Sequence, residues 1–134
     1  MDQPTPGRKA DTEDLSARSA EEVFREHLAL RQCGKVERDI QRNYAPDIVM
    51  LTTYGVFHGH DGVRKGAKML KEQLGDAEVT YVNTLVNGEM AFLEWTAHSD
   101  RVCVEDGADS FLIRNGKIVA KTFHYTVKKP KPSS

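Results

Sequence analysis

The sequence is poor in the features that announce the commonest chemistries. Its two cysteines, Cys33 and Cys103, stand far apart with no CxxC pair, so it offers neither a disulfide framework nor a zinc knuckle. Neither has an adjacent histidine to activate it and no Gly-x-Ser-x-Gly elbow occurs, which argues against covalent catalysis. Gly59, Gly62 and Gly66 are not followed by Gly-Lys-Ser/Thr, so they make no phosphate loop. The 19 basic and 20 acidic residues leave a net charge of -1 with both signs interleaved; without a basic stripe, nucleic acid is not an expected partner. No apolar run approaches the ~20 residues that span a bilayer. The start, Met1-Asp2-Gln3-Pro4, has neither the cationic nor the apolar region of a signal peptide, and the expectation is a cytoplasmic protein with no membrane partner.

What is present fits one domain. A chain of 134 residues, 39% hydrophobic, is long enough for a single core. Residues 1–15, rich in proline and charge, read as a flexible tail, as do 129–134, where Pro130 and Pro132 alternate with lysine; the domain is expected over 16–128. Ser19 with Glu22 three residues on is a capping-box pattern ahead of Val23, Phe24, Leu28 and Leu30, which predicts a helix of about 14 residues. After Gly34 the spacing of Val36, Ile40 and Tyr44 predicts a shorter helix running to Pro46. Residues 48–53 and 56–58 around Gly55 read as a small hairpin. From Asp61, the positions Val63, Ala67, Leu70 and Leu74 give a third helix stopped at Gly75.

The second half changes period. The runs 78–86, 90–99, 101–114 and 117–127 predict four strands, and Asn87-Gly88 and Asn115-Gly116 are hairpin signals between them. An antiparallel meander follows. In Met90-Ala91-Phe92-Leu93-Glu94-Trp95 both alternating faces are largely apolar, so this strand is central and covered on both sides. Helices cover one side; a second copy of the chain is the expected cover for the other, making a homodimer.

Three helices enclosing a hairpin, then a long meander, with Phe57-His58-Gly59 before the third helix and Asn115-Gly116-Lys117-Ile118 between the last strands, resemble the NTF2-like superfamily, and within it the SnoaL-like proteins. The resemblance covers about residues 19–127 and implies an α+β conical fold: a curved antiparallel sheet wrapped on helices around a mostly apolar pocket. The superfamily holds isomerases, dehydratases, cyclases and non-catalytic modules. Asp109-Ser110-Phe111-Leu112-Ile113 is similar to the ketosteroid isomerase strand whose Asp is a neutral oxyanion-hole donor. The same comparison puts His27 near that enzyme's oxyanion tyrosine and Lys121, Phe123 and Tyr125 in the pocket. Where the isomerase carries its carboxylate base, this chain has Leu51, Thr52 and Thr53, which counts against ketosteroid isomerisation.

Read by themselves, the candidates divide. Asp109 lies mid-strand beside Phe111 and Ile113, where burial would disfavour its anion and suit acid or donor work; the alternative is a solvated Asp turned outward by a bulge after Gly107. His27 sits within the apolar stripe of the first helix, as a core histidine or a proton-transfer partner of Asp109. Parity allows either His124 or the pair Phe123 and Tyr125 to face inward, and the resemblance favours the aromatic pair. His58 and His60 lack a third ligand nearby and read as loop residues; no metal and no cofactor are expected. Together these residues suggest a small-molecule site: catalytic Asp109 and His27, with Tyr44, Thr52, Trp95, Phe111, Phe123 and Tyr125 around a small apolar carbonyl or hydroxyl compound. The alternative is a non-catalytic ligand-binding or dimerisation module.

Overall fold

The computed structural model describes residues 14–131. Of the tails expected at 1–15 and 129–134, residues 1–13 and 132–134 lie outside the described residues; Asp14, Leu15 and residues 129–131 fall within them, and Asp14 caps the single turn Leu15–Ala17 by accepting the Ser16 N–H at 3.0 Å. Three helices follow among the described residues: α1 (Ala20–Gln32), α2 (Val36–Asn43) and α3 (Gly59–Leu74). They pack on one face of a six-stranded sheet of β1 (Tyr44–Thr52), β2 (Gly55–His58), β3 (Glu78–Asn87), β4 (Met90–His98), β5 (Cys103–Arg114) and β6 (Lys117–His124), ordered β2-β1-β6-β5-β4-β3. This is the NTF2-like α+β arrangement, an open curved sheet.

The capping box at α1 is complete, Ser19 and Glu22 each receiving the other's backbone N–H. The hairpin is not a separate unit: β1 joins the meander by pairing with β6 in parallel, so the sheet is mixed. That pairing links residues more than sixty positions apart, beyond the reach of any local pattern. Tyr44 opens β1 instead of closing α2, and Pro46 lies in the gap of the β1–β6 ladder between Tyr44 and Val49, where its missing N–H costs no pairing. The first meander turn is Gly88-Glu89, with Asn87 paired to Met90 and Gly88 at φ +59°, whereas Asn115 and Gly116 both take positive φ as expected. Gly116 has a second reason to be glycine, since an added Cβ would run into the Leu15 carbonyl. Arg18 fixes that approach by donating to the Gly116 and Arg42 carbonyls and to Asn43 Oδ1, at 2.8, 2.9 and 2.8 Å.

Register shifts in the β3–β4, β4–β5 and β5–β6 ladders bend the sheet. On β4 Ala91, Leu93, Trp95 and Ala97 face the helices and are buried. They meet Val23 and Phe24 of α1, Ile40 of α2 and Phe111 and Ile113 of β5 in one core. The opposite face of β4, with Met90 and Phe92, has no helix on it.

Candidate functional site

The helices do not fill the concave side. An open cleft of about 890 Å³ remains between α1, the C-terminal half of α3 and strands β3 and β4, and its floor is formed by His27, Arg31, Trp95, Asp109 and Lys121. A smaller cavity of about 40 Å³ lies deeper under β1 and β6, bordered by Met50, Gly66, Phe123 and Tyr125, and shares Arg31, Trp95, Asp109 and Lys121 with the cleft. The polar floor is thus a wall common to both spaces.

One end of that floor is built where α1 crosses α2. His27 is 3% exposed, and its Nδ1 lies 2.8 Å from Asp39 Oδ2. Arg31, one turn on, donates Nε–H to the same oxygen at 2.7 Å, and Asn43 donates to Oδ1 at 2.8 Å. Burial works against the Asp39 anion, but His27 and then Arg31 outweigh it and hold its carboxyl well below the usual range. Burial, only partly opposed by Asp39, pushes the His27 imidazolium below its ordinary pKa. The ring is therefore neutral, and since an ionised Asp39 can only accept, Nδ1 carries the proton. Nε2 has no hydrogen bond among the described residues, and His27 borders the cleft.

The other end is built on the sheet. Asp109 and Phe111 alternate inward on β5, and Lys121, Phe123 and Tyr125 follow the same parity from β6. Asp109 is not the unpartnered carboxyl that the sequence suggests. Its Oδ1 accepts the Trp95 indole N–H at 2.9 Å, and Oδ2 lies 3.5 Å from Lys121 Nζ. Gly107 makes this possible, because a Cβ there would collide with the Trp95 ring lying across the strand. Lys121 donates to the Tyr44 hydroxyl at 3.1 Å and stands 5.0 Å above the Phe111 ring, against whose edge His27 packs at 5.2 Å. Phe111 thus spaces the two ends of the floor.

The expected site residues are distributed accordingly. His27, Asp109 and Trp95 meet on the cleft, and Phe123 and Tyr125 border the deeper cavity. Tyr44 and Phe111 are buried supports beneath them. Thr52 lines neither space: its hydroxyl donates to the Gly55 carbonyl and accepts the Tyr54 N–H within the β1–β2 turn. His124 points away from the concave side, near Thr53 and Asp106. His60 sits in the first turn of α3 and its Nε2 donates to the Tyr44 carbonyl at 2.8 Å. No group of three or more His, Cys, Asp or Glu side chains among the described residues is placed to hold a metal. Asp39 was not legible as a site residue; its one signal is a charged side chain inside the Val36–Ile40–Tyr44 stripe.

The sequence pattern of the SnoaL-like domain matches residues 24–121, most of α1 through most of β6. The chain belongs to the SnoaL-like family. Solved structures agree with this domain in fold. A Mesorhizobium loti protein assigned as a SnoaL-like polyketide cyclase is 21% identical, the match covering 81% of this chain and all of that one with a TM-score of 0.64. TerC, crystallised with polyporic acid, is 17% identical over 80% of this chain and 91% of its own, TM-score 0.64. A de novo designed protein with a curved β-sheet is 20% identical over 80% and 84%, TM-score 0.66. Comparison with curated proteins gives no match. A designed backbone superposes on this SnoaL-like domain as well as a natural one does, so the likeness carries the fold, and the function must be argued from the floor of the cleft.

Proposed function

We propose that this SnoaL-like domain binds a small organic carbonyl compound in the cleft and moves a proton on it by general base catalysis, without a cofactor. The observation that carries this reading is His27: a neutral imidazole whose Nδ1–H is tied to an ionised, buried Asp39 and whose Nε2 is left unbonded on the cleft. A histidine oriented by a carboxylate in this way is a positioned base, and such a group contributes about 10²–10⁴-fold to a rate. In the step proposed, Nε2 takes a proton from carbon next to a carbonyl. The C–H electron pair becomes a C=C bond, and the carbonyl π pair moves to oxygen beside the Lys121 ammonium. Return of the proton to another carbon is an isomerisation; attack of the enolate on a second carbonyl is a cyclisation. Asp109 is assigned here to holding Trp95 and Lys121, and the wall to Trp95 with Phe123 and Tyr125 behind it.

The test is hydrogen–deuterium exchange into β-tetralone and related aryl ketones in D2O, followed by NMR. Exchange above the buffer rate, falling to that rate in His27→Gln and reduced in Asp39→Asn, supports the base. Ligand binding with no exchange supports the second reading, a non-catalytic binding or dimerisation module, which the lack of a carboxylate at Leu51, Thr52 and Thr53 favours. We further propose that the domain is a homodimer, joined through the helix-free face of its sheet.

A further inference from the structure

The floor of the cleft holds more hydrogen-bond donors than its own acceptors consume. The Lys121 side chain is 8% exposed, yet among the described residues its ammonium makes one hydrogen bond, to the Tyr44 hydroxyl; Asp109 at 3.5 Å is an ion-pair contact beyond hydrogen-bond length. An ammonium has three N–H donors. Arg31, 18% exposed, spends Nε on Asp39, and among the described residues neither Nη group has a hydrogen bond. Both side chains border both spaces. The acceptors facing them are few: Asp109, with one oxygen already taken by Trp95, and His27 Nε2. The charges lining the cleft are Arg31, Lys71 and Lys121 against Glu78 and Asp109, a surplus of one positive charge, with Asp39 behind the wall and not on it. The remaining wall is mostly apolar, from Leu28, Leu70, Leu93 and Trp95, with Gln32 and Tyr81 as its uncharged polar members.

Resting on the carbonyl reading of this site, we infer that its substrates are organic acids: a planar apolar body against Trp95 and Leu93, with a carboxylate bridging the free Nη edge of Arg31 and the unspent donors of Lys121. Guanidinium presents two parallel N–H groups matched to a carboxylate, and such charge-assisted bonds are about twice as strong as neutral ones. A neutral apolar ketone alone would leave those nearly buried donors unpaired whenever it expelled water from the floor.

The experiment compares naphthoate with naphthamide, one shape with and without the charge, by calorimetric titration of the unaltered protein. Naphthoate should bind about tenfold or more tightly than the amide, a preference that shrinks with salt. Lys121→Met should lose most of it, and Asp109→Asn, which removes the competing carboxylate, should keep or increase it. Equal affinity for acid and amide, or no binding of either at millimolar concentration, overturns the inference; the wild-type pair decides this even where a variant folds poorly. Failure of the His27 assignment registers elsewhere, as ketone exchange that survives in His27→Gln while the preference for the acid stands.

Discussion

At the scale of single residues, the site depends on which groups are ionised. His27 is held neutral in the native state, chiefly by burial, while in the unfolded chain it protonates near pH ~6.5. Below that value the unfolded state binds more protons than the native one, so the His27 share of stability is complete above pH ~6.5 and is lost as pH falls from there. Thermal melts across this range should show a slope that His27→Gln flattens, and ketone exchange should persist to lower pH than a solvent-exposed histidine would allow. Asp39, with its pKa lowered, does not contribute to that window; its loss begins below about pH 3.9. For Asp109 the neighbours decide the sign. With Trp95 N–H and Lys121 on its oxygens, Asp109→Asn removes a charged partner and should lower stability by about 1–3 kcal/mol. An unchanged or higher melting temperature would return Asp109 to the role of a neutral donor.

At the scale of elements, the parts legible in the sequence were those with a local cause. The capping box fixed the start of α1 and Asn115-Gly116 fixed the last turn; β4, apolar on both alternating faces in the sequence, buries only Ala91, Leu93, Trp95 and Ala97 within the chain. What escaped were relations between elements: the parallel β1–β6 pairing, and Asp39 of α2 meeting His27 and Arg31 of α1. Tyr44 was misplaced for a related reason, because the Val36–Ile40–Tyr44 spacing continues one step beyond the helix into a strand whose first residue is also buried. Gly107 shows how a cross-strand relation yields a prediction. It pairs with Trp95 on β4 and leaves room for the indole to lie over β5 and reach Asp109. Gly107→Ala should displace that ring, cost about 1–3 kcal/mol, and blue-shift or red-shift the fluorescence of the single tryptophan. Unaltered emission and stability would mean that the ring does not depend on this gap.

At the scale of the whole molecule, the outer face of the sheet decides how the protein is expected to exist in solution. The strand registers align two rows across all six strands on this face. One runs Val56, Leu51, Thr122, Ser110, Phe92, Leu85; the next runs His58, Val49, Ala120, Leu112, Met90, Asn87. Leu51, Val56, Leu85 and Met90 are each more than half exposed. Apolar side chains aligned in adjacent rows form a contiguous patch of the kind that marks an interaction surface. Because the rows span the sheet from edge to edge, a two-fold axis through its middle would set β3–β4 of one copy against β1–β2 of the other, with the same surface used twice. Light scattering on the purified protein should give twice the chain mass at micromolar concentration. Leu85→Glu with Met90→Lys should give the monomer mass without unfolding, since both side chains are exposed and outside the core. The helix-lined cleft opens on the opposite face, so naphthoate binding should survive in that monomer. A wild-type protein that stays monomeric at high concentration would leave this patch to another partner.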